Sequence, residues 1–401
     1  DAITTVSSTY AEEIKTPFYG EGLDGLMRAR ANDLRGIVNG IDYDDFNPET
    51  DPYIAQRYNA KNFRKEKGKN KLALQEELGL ARDEKKFMIG IVSRNVVLLG
   101  HGGAGKSTVA EALAYLTGVT KRMGKVADGN TISDYDKEEI KRQFSISTTL
   151  IPLEYQGENG PVKINLLDTP GFFDFVGEVE EAISVADAAI IVVNCKAGIE
   201  PGTERAWEMC EKYNLPRLIF VTNMDDDHAS YRELVVKLEK KFGRKIAPFQ
   251  LPIRENEKFV GFVNVVKMAG RRFTNLSDYV ECEIPDYVQK NLTIARDALI
   301  EAVAETSEEY MERYFLGEEF TQEEIAQALR EHVSEGNIVP VMMGSGVNAQ
   351  GFAYLLQAID KYFPSPDKFE CVGVDVSTAE RFTAKYNDDV SLSARVFKTV
   401  V

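Results

Sequence analysis

Nowhere in these 401 residues do the roughly 18 consecutive apolar side chains of a membrane span occur. No membrane partner is therefore expected. The amino terminus has no basic stretch leading into an apolar block, so no secretory signal is expected there. Cysteine is scarce. Cys195, Cys210, Cys282 and Cys371 lack metal-ligand spacing and read as reduced thiols of a cytoplasmic protein. Net positive charge is lacking too. The formal charge of −16 argues against indiscriminate nucleic-acid binding, and no sequence-specific DNA contact is expected. There is no internal repeat.

What charge there is lies unevenly. Residues 1–94 hold 15 Lys and Arg against 16 Asp and Glu, so nearly all the net negative charge falls beyond residue 94. The break suggests two pieces of different history. The first has a mixed, loop-rich stretch from Gly20 to Arg35 and a turn segment with Pro48 and Pro52. A basic run from Lys61 to Lys71 reads as a solvated face, a helix pattern runs from Asn70 to Leu78, and a strand is expected over Phe87–Val92. No catalytic constellation is apparent there.

From Asn95 onward, strand and helix patterns alternate, which predicts an α/β fold with a mostly parallel sheet. Its organising feature is Gly100-His101-Gly102-Gly103-Ala104-Gly105-Lys106-Ser107, set between the apolar run Asn95–Leu99 and a helix pattern opening at Thr108. Strand, glycine loop and helix together make a phosphate cradle. Glycines let backbone N–H groups turn toward an anion, Lys106 can reach the β- and γ-phosphates, and the Ser107 hydroxyl can bind Mg²⁺. Asp168-Thr169-Pro170-Gly171 follows an apolar strand, where Asp168 can hold Mg²⁺ through water and Gly171 can approach a γ-phosphate unobstructed. Asp225, after the strand Leu218–Val221, can accept two hydrogen bonds from a guanine ring. As a helix N-cap the choice among Asp225, Asp226 and Asp227 stays open. Gly344-Ser345-Gly346 either presents backbone N–H groups to the base or forms an ordinary glycine turn.

These motifs, in this order, resemble the G domain of elongation factor G, in particular its divergent paralogues, over residues 95–401. Lys141–Ile146, Asp174-Phe175, Glu178-Val179, Thr222-Asn223-Met224-Asp225 and the insert segments Phe249–Ile253 and Phe259–Gly261 share in the likeness. The resemblance implies a P-loop NTPase G domain over 95–366 with an inserted α+β subdomain at about 245–335. Residues 367–401 would be a linker and the first strand of a β-barrel. It implies GTP or GDP and Mg²⁺ as cofactors, a ribosomal partner, and Gly100 to Thr108, Asp168, Gly171, Thr222, Asn223, Asp225, Ser345 and Gly346 as nucleotide-binding residues. Lys106 and Gly171 would serve catalysis, with Ser107, Ser145 and Asp168 at the metal.

Some positions depart from the family. Ser145 stands where a switch threonine binds Mg²⁺, with Ser147, Thr148 and Thr149 as neighbouring substitutes. Phe172 replaces the histidine that positions the attacking water, and His101 and His228 lie elsewhere in the motif order. Thr222 and Asn223 replace an asparagine and a lysine of the guanine motif, and Gly103 replaces an aspartate. The expected activity is slow hydrolysis of GTP to GDP and phosphate. A non-hydrolysing guanine-nucleotide module is the alternative.

Residues 1–94 resemble a middle fragment of bacterial glycogen (starch) synthases, which use ADP-glucose. The likeness lies in Thr5–Ile14, Gly25-Leu26, Gly36–Asp42, Asn47–Asp51 and Ile91–Arg94. It implies a partial α/β glycosyltransferase fragment without the family's glycine loop or acidic motif, so transferase activity is the remote alternative. Two unrelated pieces meeting at Arg94/Asn95 read as an engineered fusion or artificial join.

Overall fold

The structure, a computed structural model, describes residues 3–5, 11–12, 14–16, 23–36, 47–51, 54–77, 94–157, 160–226, 228–243, 245–275, 278–365, 371–374 and 381–384. The chain divides into two units, residues 1–89 with 398–401, and residues 90–397.

In the first unit, β1 (Ile3–Thr5) pairs in parallel with β2 (Leu34–Gly36), Ile3 opposite Leu34. The stretch expected to be loop contains a helix over Asp24–Ala29, whose Asp24 and Arg28 form an ion pair one turn apart at 2.6 Å. A second helix spans Phe63–Glu77 and so takes in most of the basic run. Lys, Arg and Glu are good helix formers, and Glu66 pairs with Lys69 on the same face at 2.5 Å. The turn at Asn47 closes on its own side chain, which accepts from the Glu49 amide at 2.9 Å. The strands expected at 87–92 and 391–401 lie outside the described residues.

The second unit carries β3 (Asn95–Leu99), β4 (Thr149–Gly157), β5 (Gly160–Asp168), β6 (Ala188–Asn194), β7 (Arg217–Thr222) and β8 (Ile246–Pro248). After these come β9 (Gln250–Glu255), β10 (Lys258–Asn264), β11 (Ala269–Phe273), β12 (Tyr279–Cys282) and β13 (Val339–Met343). The main sheet runs β4-β5-β3-β6-β7-β13-β8 and is parallel except for the β4–β5 hairpin. Helices cover both faces, which is why β6 and β7 are apolar without alternation. Along β3, Val96 and Leu98 join one core with the helices Lys106–Leu116 and Phe352–Tyr362. Val97 and Leu99 join the other, with Val176–Ile183, Pro201–Lys212 and Tyr231–Phe242.

Several details differ from the sequence reading. β8 extends the main sheet, so the first residues of the expected insert belong to the sheet edge. The insert itself pairs an antiparallel sheet, β12-β11-β10-β9, with the helices Asp286–Ala304, Glu308–Phe315 and Gln322–Ser334. The expected linker contains an antiparallel pair, β14 (Cys371–Val374) with β15 (Arg381–Ala384). A short helix, Lys137–Arg142, precedes β4 and is opened by an Asp136/Glu139 capping box.

The parallel order has one consequence for function. β3, β5, β6, β7 and β13 all end on one edge of the sheet, and the glycine loop, Asp168, Asp225 and Ser345 each lie at one of those ends. In open α/β sheets that edge is where ligands bind.

Candidate functional site

The glycine loop leaves β3 through Gly100 at φ 141°, where a Cβ would come within 2.4 Å of the Val192 carbonyl on β6. Only glycine fits so close an approach at that φ. Gly105, at φ 100°, opens the helix whose first residue is Lys106. The Lys106 side chain arches back over its own loop and donates to the carbonyls of Gly100 at 3.1 Å and His101 at 3.0 Å. It is buried, and burial lowers its ammonium to about 8 against the opposing pull of Asp168.

Asp168, at the end of β5, is 1 % exposed, and neither carboxylate oxygen has a hydrogen-bond partner. Burial pushes its carboxyl up to about 6, with Lys106 and the nearby hydroxyls of Ser133 and Ser107 pulling the other way. An orphaned buried carboxylate is costly to the fold. It suits a site that takes up a cation. Gly171, three residues on, packs directly on the loop: a Cβ there would lie 2.4 Å from Lys106 Nζ and 2.7 Å from the Gly102 Cα.

The hydroxyl question in the following segment is decided by packing. Ser145 Oγ lies 3.2 Å from Ser107 Oγ and donates to Asp134 Oδ1 at 2.6 Å. The Ser147 amide is held by Glu139, while Thr148 bonds Glu178 through both its amide and its hydroxyl. Thr149 donates to the Ser133 carbonyl. Of the four hydroxyl residues, Ser145 is the one bonded to Ser107. Ser107, Ser145 and Asp168 therefore form a set of hard oxygen donors that fits Mg²⁺. The sequence reading misses Asp134 and Glu139, which help build the wall behind that set. The signal that could have found Glu139 was the D-x-x-E capping pattern at Asp136.

Phe172 rests on the loop. A Cβ on Gly102 would meet three of its ring atoms at 3.0–3.2 Å, and its ring centroid lies 4.7 Å from that of Phe144. The position after Gly171 thus carries an apolar ring and no proton donor or acceptor. His101 does not replace it. Its Nδ1 accepts from the Gly202 amide at 3.3 Å, and its Nε2 lies 3.6 Å from Glu200 at the start of the helix Pro201–Lys212. His228 is exposed in the loop beyond Asp226.

At the other end, Asp225 is joined to Ser345, whose hydroxyl donates to its Oδ1 at 2.5 Å. Ser345 is fully buried and is tied by two backbone bonds to Gln350, and the Gly344 amide donates to Val221 on β7. The loops after β7 and β13 are thereby brought together. The N-cap alternative for Asp225 does not hold, because the next helix begins at Tyr231 with Ser230 at its N-cap. Asp226 is engaged by Lys196 at 3.1 Å and by the His228 amide. Asp227 lies outside the described residues.

Thr222 makes a bond that its departure from the family did not suggest. Thr222 Oγ1 donates to the Ala104 carbonyl at 2.7 Å, so the strand end stays tied to the phosphate loop. Asn223 takes φ 58°, a left-handed conformation that asparagine tolerates. Gly346 packs on Thr108, whose Cγ2 would lie 2.4 Å from a Cβ at that position. Gly103 has open space at its Cβ position. Among the described residues, no three His, Cys, Asp or Glu side chains form a metal cluster, and no helix is long and apolar enough to cross a membrane.

A family model described as the elongation factor Tu GTP binding domain matches residues 92–365. A model described as the starch synthase catalytic domain matches residues 1–29, a shorter stretch than the 1–94 suggested by sequence. Elongation factor G of Thermotoga petrophila is 36 % identical over 311 residues, covering 77 % of this chain and 44 % of the relative. Elongation factor G of Thermotoga maritima is 35 % identical over the same length. A solved protein from Thermus thermophilus superposes with a TM-score of 0.64 at 38 % identity, covering 70 % of this chain and 41 % of that one. The chain thus spans less than half the length of these relatives.

Proposed function

The chain belongs to the elongation factor Tu GTP-binding-domain family through residues 92–365, and on that premise we propose that it binds GTP and GDP with Mg²⁺ and hydrolyses GTP slowly. The observation that carries the proposal is the clustering of Asp168, buried and without a hydrogen-bond partner, with Lys106 and the Ser107–Ser145 hydroxyls at one end of a strand edge whose other end holds Asp225. Lys106 has two donor bonds to its own loop that phosphate oxygens can replace. Gly171 keeps the space above that ammonium clear. Mg²⁺, when bound, supplies positive charge to the phosphate oxygens. Asp225 offers two acceptor oxygens to a guanine edge, and Ser345 fixes one of them.

Slow turnover follows from Phe172. Phosphoryl transfer to water depends on positioning the nucleophile, and a phenyl ring supplies no hydrogen bond to it. The same ring favours a second reading, in which nucleotide orders the loops without being hydrolysed. Partnership with the ribosome and a cytoplasmic location belong to the proposal through the likeness to elongation factor G. Titration with fluorescent GDP tests the binding claim: absence of binding at micromolar protein sinks it. Single-turnover hydrolysis of GTP separates the two readings.

A further inference from the structure

One buried carboxylate beside the phosphate loop has no assigned task. Asp134 is 3 % exposed, and its two oxygens are both engaged. Oδ1 accepts from Ser145 Oγ at 2.6 Å, and Oδ2 accepts from Thr131 Oγ1 at 3.1 Å. The Asp134 amide also donates to Thr131 Oγ1 at 3.3 Å, so a local turn fixes the carboxylate before it meets Ser145. Its charge acts on both Lys106 and Asp168. It favours the Lys106 ammonium and opposes ionisation of Asp168.

Hydroxyl chemistry shows how it serves. A serine hydroxyl has one proton and two lone pairs. To coordinate a cation it must present a lone pair and send its proton elsewhere. Ser145 sends its proton to Asp134, which leaves Ser107 as donor in the Ser107–Ser145 contact at 3.2 Å. One lone pair of Ser145 then accepts from Ser107, and the other is left for a cation. Outer partners of this kind fix the orientation of metal ligands.

We propose that Asp134 is a positioning residue for Mg²⁺: it holds the Ser145 proton, so that the Ser145 oxygen joins Ser107 and Asp168 as a ligand and the loop 124–147 closes on the phosphate cradle. This rests on the nucleotide-binding function proposed above. Asp134 touches neither nucleotide nor metal and acts through Ser145.

The test uses the full chain and a fluorescent, non-hydrolysable GTP analogue, and reads the Mg²⁺ concentration at which analogue dissociation is half slowed. Asp134→Ala is expected to raise that midpoint about tenfold. Asp134→Asn, which keeps an acceptor oxygen, should raise it by a smaller factor. Ser145→Ala should match Asp134→Ala, and the double variant should shift no further than either alone, since both act on one ligand. Analogue affinity in excess EDTA should be unchanged in the two Asp134 variants. If Asp134→Ala does not fold, Asp134→Asn carries the measurement. A midpoint unchanged in the folded Asp134 variants, or shifts that add in the double variant, overturns the proposal. If the unsubstituted chain binds no analogue, or binds it without regard to Mg²⁺, the underlying function has failed and this inference falls with it.

Discussion

At the phosphate end of the strand edge, Lys106 and Asp168 are buried side by side, with Ser107 and Ser145 closing the cluster. At the base end, Asp225 and Ser345 make a single pair beside an exposed Asn223. Both ends use the same scaffold, loops following parallel strands. They differ in how much of the surrounding fold is committed to them. The phosphate end holds charge in the interior at a cost in stability. The base end rests on a few side-chain bonds, that of Ser345 to Asp225 among them, and on backbone ties between the loops after β7 and β13. The phosphate end should therefore dominate affinity, and the base end should set selectivity.

Lys106→Ala tests that order most severely. Removing a charge-assisted contact to phosphate is expected to weaken GDP about 100-fold, or ~3 kcal/mol, as read by fluorescent titration. An effect smaller than that of Asp225→Asn would reverse the comparison. Asp225→Asn should weaken GDP about 30-fold. It should also improve binding of xanthosine diphosphate, because an amide donor then meets the xanthine carbonyl. Equal loss for both bases would mean that Asp225 does not face the ring. Phe172→His is expected to leave GDP affinity in place and raise single-turnover hydrolysis about tenfold or more, as a positioned acid–base group does. An unchanged rate would show that some other group orients the water.

The stability cost of the phosphate end can be measured directly. The Asp168 carboxyl titrates near 6 when folded and near 3.8 when unfolded, so the folded state binds the proton more tightly. Its ionisation therefore destabilises the nucleotide-free fold above about pH 6, and that penalty fades as the pH falls from 6 to 3.8. Asp168→Asn should raise the melting temperature at pH 7 by a few degrees, equivalent to about 1–2 kcal/mol, with no gain near pH 4. A loss of stability at pH 7 would mean that Lys106 depends on that charge. The smallest expected effect is at Thr222→Val, which removes the bond to Ala104 and should weaken GDP about 5-fold, ~1 kcal/mol. No change would show that the Thr222 bond does not support the loop.

Much of this was legible in the chain itself, for a physical reason. A phosphate loop is a local object: a strand, a run of glycines and a helix start within a dozen residues, with backbone donors facing the anion. Gly100 to Ser107 could be read without knowing what packs on them. Asp168 and Gly171 follow a strand in the same local manner. The switch segment was harder. Four hydroxyl residues between Ser145 and Thr149 are interchangeable by type, and their roles depend on Asp134, Ser133 and Glu178, up to 30 residues away in sequence. Thr222 illustrates the opposite error. Read alone, it was a lost partner of guanine; folded, its hydroxyl reaches a carbonyl 118 positions earlier.

Periodicity and glycine placement by themselves determined the α/β alternation, the phosphate cradle, and the order of motifs along the chain, because each of these is encoded over a few neighbouring residues. Tertiary structure alone decided which serine meets Ser107, that Asp225 pairs with Ser345 rather than capping a helix, that Phe172 lies against Gly102, and that Asp168 is left without a partner. Those are contacts between residues far apart in the chain. Hydrogen-bond geometry and burial fix them only once the strands have been placed side by side.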